Sequence, residues 1–176
     1  MNKKSNQFIA DYIFRNLDIQ HYSKEQINQI QVELLQAHLK FIAENSLFYK
    51  THFSKNHVDI SKIKSIDDLK IIPPTSKEDL VHNNNDFLCV PEDEIIDICL
   101  TSATSGEKPA MLLQTHSDLI RLAYNEEVAF AMTGLCANDT LMVCAALDRA
   151  FMAGLAYFIG GTKLNARVVR LSLIHI

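Results

Sequence analysis

The sequence predicts an α/β fold built in two parts: an N-terminal helical segment over residues 1–90, then a partial unit with a mixed or parallel sheet over residues 91–170. Three observations carry this. Apolar residues recur at three- and four-residue steps between Lys24 and Glu44, which is the period of a helix with one buried face. The texture changes after Pro91, where short β-branched and aliphatic runs replace the helical pattern. From there strand, helix, strand, helix and strand alternate, an order that produces an α/β unit with some parallel pairing.

Residues Gln7–Leu17 read as a short amphipathic helix carrying Phe8, Tyr12 and Arg15. Ser23-Lys24-Glu25-Gln26 is a capping-box pattern. The helix behind it presents Ile27, Ile30, Leu34, Ala37 and Phe41 as its stripe, and Asn45-Ser46 interrupts it. Leu47–His57 carries Phe48, Tyr49 and Phe53. Ser65–Leu69 starts another short helix, which Pro73-Pro74 stops, and Thr75–Leu80 caps the next. Ile95–Leu100 reads as a buried strand and Ala110–Gln114 as its hairpin partner, across a Ser/Thr/Gly turn at Thr101–Gly106. Ser117 with Asp118 caps a helix running to about Met132 and ending near Gly134. Leu141–Ala146 is a strand, Met152–Ile159 a helix and Arg167–Leu171 a strand. Neither an internal repeat nor a low-complexity tract interrupts this order.

Composition narrows the function classes. Of 176 residues, 48% are hydrophobic and 22% charged, so the chain can build a core and is not disordered throughout. Seventeen basic against 21 acidic residues leave a net charge of −4, with no basic block. A nucleic-acid grip based on phosphate neutralisation is therefore not expected. Cys89, Cys99, Cys136 and Cys144 form no C-x-x-C pair, so zinc is not expected, and each reads as a reduced, buried small hydrophobe. The basic start precedes too short an apolar run for a secretory signal. The apolar stretch Leu141–Gly161 contains Asp148 and Arg149, each costing about 2.5–3.5 kcal/mol at a bilayer centre. No membrane association and a cytoplasmic location are the expectation.

The stretch with most chemistry is Thr101-Ser102-Ala103-Thr104-Ser105-Gly106-Glu107-Lys108-Pro109. It places four hydroxyls in five residues directly after a strand. Small side chains let a ligand approach the backbone. Hydroxyls and turn amides donate to phosphate oxygens, and Lys108 adds a positive charge. Each hydrogen bond to a charged acceptor contributes about 1.5–3 kcal/mol. A polar hairpin turn uses the same residue types, so composition alone leaves both readings open. The Walker pattern and the G-x-G-x-x-G fingerprint are both absent. His116 reads as a structural or surface residue, since a lone histidine rarely acts without an orienting partner, and His38 reads as a boundary residue of the long helix. Asp148-Arg149 reads either as a buried pair or as an active-site edge at a strand's C-terminal end.

Thr101–Pro109 resembles the loop [ST]-S-G-[ST]-[ST]-G-x-P of adenylate-forming enzymes, and the chain resembles their phenylacetate–CoA ligase branch more narrowly. Leu47-Phe48-Tyr49-Lys50 is similar to its P-F-Y-R segment, and Ile72–Leu80 to its L-P-x-T-x-K-x-D-L stretch. Phe151-Met152-Ala153-Gly154-Leu155-Ala156 is similar to its glycine-containing helix beside the acyl pocket. The resemblance spans nearly the whole chain but only the opening part of a full-length member. The fold it implies is part of the adenylate-forming N-terminal domain.

The activity it implies joins a small-molecule carboxylate to AMP, releases pyrophosphate and transfers the acyl group to CoA, with ATP, Mg2+ and CoA as cofactors. Carried over by position, Thr101, Ser102, Thr104, Ser105, Gly106 and Lys108 contact the nucleotide phosphates, and Phe151 and Met152 line the acyl pocket. No catalytic residue and no metal ligand is singled out in the chain. The resemblance leaves open a homodimer of the full-length protein. Two departures stand out: Ala103 replaces the usual glycine, at a cost of about 1–2 kcal/mol if that position is left-handed, and Glu107-Lys108 adds one residue before Pro109.

Leu171–Ile176 resembles the translated end of a transposase adapter used in sequencing libraries, so residues 171–176 read as an adapter-derived scar on an N-terminal fragment. Such a fragment is expected to be inactive alone and to show unpaired sheet edges and apolar surface. The alternatives are an acyl-protein synthetase of the same superfamily and a non-catalytic α/β interaction module.

Overall fold

The computed structural model describes residues 21–101, 108–147 and 150–171. The expected helix at Gln7–Leu17, the loop residues Ser102–Glu107, the pair Asp148-Arg149 and residues 172–176 lie outside that set. The chain divides into two compact units, Met1–Glu92 and Asp93–Ile176.

In the first unit, α1 (Lys24–Asn45) starts at the expected capping box. Ser23 Oγ accepts from the Gln26 amide at 3.2 Å, and Gln26 Oε1 accepts from the Ser23 amide at 2.8 Å. Two orphan donors of the first turn are satisfied reciprocally. The buried stripe is rotated from the expected one: Leu39 and Ile42 are the core residues, with Leu35 and Phe41 packed beside them. They join Phe53 of α2 (Leu47–Lys55) and Ile63, which caps the 3-10 turn Ile60–Lys62, while Val58, Ile60, Ile72 and Cys89 close the rim. The core forms on the C-terminal half of α1 because α2 and the following turns fold back there. Each fully buried large apolar side chain contributes roughly 1.5–3 kcal/mol.

The break between α1 and α2 is made by Ser46. It is fully buried, accepts from the Tyr49 amide at 3.2 Å and donates to the Asp86 carbonyl at 2.8 Å. One hydroxyl thus caps a helix and anchors a segment 40 residues away. Ser65–Leu69 does form a short helical turn, a 3-10 helix over Ile66–Ile71, and α3 (Lys77–His82) begins on the Ser76/Asp79 capping box.

The second unit begins with β1 (Ile95–Leu100) and β2 (Met111–Thr115), which pair antiparallel with Leu100 opposite Met111 and a bulge between Ile95 and Asp97. The expected hairpin is present. α4 (His116–Met132) follows without a loop, and its cap is Thr115 rather than Ser117. Thr115 stands three residues before Asp118, the spacing at which hydroxyl and carboxylate exchange bonds with each other's amides: Asp118 Oδ2 accepts from the Thr115 amide at 2.9 Å, and Thr115 Oγ1 from the Asp118 amide at 3.3 Å.

β3 (Thr140–Val143), α5 (Met152–Lys163) and β4 (Arg167–Arg170) form a βαβ unit with β3 and β4 parallel. β3 is shorter than expected because its partner among the described residues is four residues long. α5 is longer than expected because Gly160 and Gly161 continue it. An added Cβ at Gly160 would lie 2.2 Å from Glu126 Cβ of α4. At Gly161 it would lie 2.7 Å from Leu141 Cδ2 and 2.9 Å from Val168 Cγ2. These glycines mark where α5 touches α4 and the sheet, not where it ends.

Each two-stranded sheet leaves one apolar face uncovered. Ile96 is 56% exposed and Ile98 50%, with Leu100 also exposed, while Cys99 between them is buried. On the second sheet the register partners Met142 and Val169 are both exposed. Among the described residues no helix is long and apolar enough to cross a membrane.

Candidate functional site

The site begins where β1 ends. The Thr101 amide donates to the Ala110 carbonyl at 3.0 Å, and the Ala110 amide donates back to Thr101 Oγ1 at 2.9 Å. These bonds clamp Thr101 to Ala110 at the end of the hairpin. Ala110 is 1% exposed, so the clamp is shielded from water. The Thr101 hydroxyl accepts from Ala110 and keeps its own proton for donation. Lys108 and Pro109 are exposed beside it.

The inward face of β1 is polar near this root. Cys99 Sγ donates to Asp97 Oδ2 at 3.3 Å, with Gln114 Oε1 4.0 Å away. Burial, then the bond to and charge of Asp97, push the Cys99 thiol up to about 11. A group held protonated in this way is a structural hydrogen-bond donor, not a nucleophile. The other cysteines differ: Cys89 and Cys144 are half-buried, and Cys136 is exposed. The expectation that all four are buried holds at Cys99 and is corrected in part at Cys89 and Cys144 and fully at Cys136. Cys136 sits in the turn after α4, where its amide donates to Asp139 Oδ2 at 2.8 Å.

The second part of the site is the start of α5. The Leu100 amide, one residue before the clamp, donates to the Ala150 carbonyl at 3.0 Å. Ala150 is left-handed, with φ of 54°, and immediately precedes Phe151 and Met152. Phe151 is the N-cap position of α5, has no side-chain capping bond and is 49% exposed, and Met152 is half-buried. The structure therefore brings the root of the hydroxyl loop and the Phe151–Met152 turn to one place through a single backbone bond.

Gly154 seats that turn. A Cβ there would lie 2.1 Å from the Ala146 carbonyl oxygen, 2.6 Å from its carbon and 3.0 Å from the Leu147 amide nitrogen. All three are backbone atoms, so nothing nearby can rotate aside.

Comparison with known proteins finds similarity to CoA ligases. The chain is 27% identical to phenylacetate-coenzyme A ligase of Escherichia coli (strain K12) over 155 residues, 88% of the chain and 35% of that protein. It is 27% identical to the enzyme of the same name from Thermus thermophilus over 157 residues, and 28% identical to that of Aromatoleum evansii over 156. The chain is similar to phenylacetate–CoA ligases. It spans about a third of the length of these curated relatives. No family model matches it.

Solved structures agree on the fold of this ligase-like chain. A 2-hydroxyisobutyryl-CoA ligase bound to 2-HIB-AMP and CoA in its thioesterification state superimposes with a TM-score of 0.77 at 22% identity, covering 84% of the chain and 32% of that protein. The same ligase in a postadenylation state with 2-HIB-AMP gives 0.77 at 21% identity, covering 85% and 32%.

Of the sequence-derived site residues in the ligase-like chain, Thr101, Lys108, Phe151 and Met152 are described, whereas Ser102, Thr104, Ser105 and Gly106 lie outside the described residues, as does Ala103. His116 is the exposed first residue of α4. Sequence reasoning missed Leu100, Ala110 and Ala150 because their contribution is made by backbone atoms. Gly154 did carry a signal: an isolated glycine inside a helical pattern marks a close approach.

Proposed function

We propose that this chain supplies the phosphate loop and part of the acyl-pocket wall of an ATP-dependent carboxylate–CoA ligase acting in the cytoplasm. The reaction joins the carboxylate to AMP, with release of pyrophosphate, and then transfers the acyl group to the CoA thiol. The observation that carries the reading is the clamp of Thr101 on Ala110, tied through Leu100 and Ala150 to the Phe151–Met152 turn. A donor-rich loop and an apolar wall are what a reaction between a triphosphate and an acyl carboxylate needs in one place.

The two reactants are both anionic, so their approach is opposed by charge. Hydroxyl donors from Thr101, Ser102, Thr104 and Ser105, the loop amides through Gly106 and the Lys108 ammonium offset that charge and hold the leaving pyrophosphate in line. Phe151 and Met152 offer apolar surface to the acyl chain. Among the described residues no group of three or more His, Cys, Asp or Glu converges. What the described residues offer the triphosphate is the Thr101 hydroxyl and the Lys108 ammonium, and a bound Mg2+ ion would add further charge neutralisation.

The test is pyrophosphate release by the natural protein that contains this chain, given ATP and a panel of aromatic and aliphatic carboxylates. Release that depends on both ATP and an acid is expected, followed by a CoA thioester when CoA is added. Acyl transfer to a protein in place of CoA would redirect the second half-reaction to an acyl-protein synthetase. No release with any acid, together with no ATP binding, would overturn the reading in favour of an interaction module.

A further inference from the structure

The glycine at the start of α5 has a consequence for the proposed site. A Cβ at Gly154 would meet the Ala146 carbonyl carbon and oxygen closer than real Cβ atoms approach their neighbours, with the Leu147 amide nitrogen at a tight 3.0 Å. The contact sets how deeply the first turn of α5 sits against the segment leaving β3. Residue 150, at the other end of that turn, is tied to β1 by the Leu100 amide and is held left-handed at φ 54°. An alanine in that conformation is disfavoured, so the surrounding contacts must impose it. Phe151 and Met152 stand between these two fixed points.

We propose that Gly154 is a positioning residue that sets the distance between the phosphate loop root at Thr101 and the acyl wall at Phe151–Met152. It touches neither reactant in this account. It acts through the seating of α5, and a side chain at 154 lifts the turn off Ala146 and carries Phe151 with it. Because the tie to Leu100 is one backbone bond from Thr101, the same displacement loosens the root of the loop. The inference rests on the ligase reading above and adds to it which position decides the fit of the carboxylate.

The experiment compares Gly154→Ala with Gly160→Ala in the natural protein containing this chain. Both insert a methyl group into a tight contact of α5, but Gly160 meets Glu126 on α4, away from the turn. Both variants are expected to lower the thermal midpoint. Only Gly154→Ala is expected to raise KM for the carboxylate, by about tenfold, and to change the ranking of small against bulky acids, since a small misplacement of a reactant is costly. Gly160→Ala keeps KM and ranking at the wild-type values.

Ala150→Gly is the second variant, and it folds whatever Gly154→Ala does, because glycine suits a left-handed φ. It frees the turn that ties Phe151 to β1, and KM for the carboxylate is expected to rise about threefold with the thermal midpoint held or raised. Gly154→Ala with unchanged KM and ranking, or moving in step with Gly160→Ala, overturns the proposal. If Gly154→Ala is insoluble, unchanged KM in Ala150→Gly overturns it. A wild-type protein that releases no pyrophosphate with any acid removes the ligase reading and this inference together. An active wild type with an indifferent residue 154 removes this inference alone.

Discussion

Thr101 and Ala110 hold each other by two hydrogen bonds, of 3.0 Å from the Thr101 amide and 2.9 Å to its hydroxyl, and so fix two residues that flank the hydroxyl-rich segment. Thr101→Val keeps the shape and removes the acceptor. The Ala110 amide, in a residue 1% exposed, is then left without its partner. An unsatisfied buried donor costs about 1–3 kcal/mol. Thr101→Ser retains the bond and is expected to stay within about 0.5 kcal/mol of wild type. Urea denaturation of both variants measures the difference, and equal stability would show that the hydroxyl does not clamp the loop.

Adjacent glycines in α5 should respond differently to the same substitution. Alanine gains about 1 kcal/mol of helix propensity over glycine at either position. At Gly160 the new methyl meets Glu126 Cβ at 2.2 Å and Glu126 backbone at 3.2 Å, so α4 and α5 must part. Overpacking of that kind costs about 1–3 kcal/mol. At Gly161 the neighbours are the side-chain methyls Leu141 Cδ2 and Val168 Cγ2, of which the leucine end can swing aside while the β-branched valine is stiff. Gly160→Ala is expected to be clearly destabilising and Gly161→Ala close to neutral, in thermal melts at one pH. The reverse order would mean that α4 and α5 are not packed through Gly160.

The cysteines divide by reactivity. Burial and the Asp97 carboxylate push the Cys99 thiol up to about 11, and it is 2% exposed, so it should resist alkylation in the folded protein. Cys136 is exposed and should be modified first. Mass spectrometry after brief iodoacetamide treatment gives the order. Asp97→Asn removes the charge that helps to raise the thiol, so Cys99 should titrate at lower pH than in wild type. An unchanged Cys99 titration in that variant would remove Asp97 as a cause.

Four aspartates predict the acid limb of stability. Backbone amides of Lys64 and Ser76 hold Asp68 and Asp79 below the ordinary carboxylate range, the Ser61 hydroxyl does so for Asp59, and the Cys136 side chain and amide do so for Asp139. A depressed folded-state value means that the unfolded chain binds protons first as pH falls. The contribution is fully present above the unfolded value of about 3.9 and is lost as pH drops through the lower folded values. The thermal midpoint should therefore be flat in this respect near neutrality and fall below about pH 4. Asp79→Asn should flatten part of that fall, since its carboxylate accepts from the Ser76 amide at 2.8 Å. A midpoint indifferent to pH between about 5 and 2 would contradict the assignment.

How much of this was legible in the chain itself depends on the range of each interaction. The caps at Ser23 and Ser76, the hairpin and the parallel βαβ unit follow from spacings of a few residues, and sequence alone determined them. It also placed the hydroxyl-rich loop after β1 and the Phe151 helix after β3. The local signals misled where two candidates stood close together: Thr115 displaced Ser117 as cap because only Thr115 has the three-residue spacing to Asp118. The stripe on α1 moved to Leu35, Leu39 and Ile42 because burial is set by where α2 and Ile63 fold back, not by period alone.

Tertiary structure decided what the loop is attached to. The bonds from Leu100 to Ala150 and from Thr101 to Ala110, and the seat of Gly154 on Ala146, are made by backbone atoms that every residue type carries. Side-chain patterns in a sequence record periodicity and chemistry, but the pairing of one amide with one distant carbonyl depends on the path of the folded chain between them. That path is what joins a polar loop to an apolar turn and makes the two a candidate site.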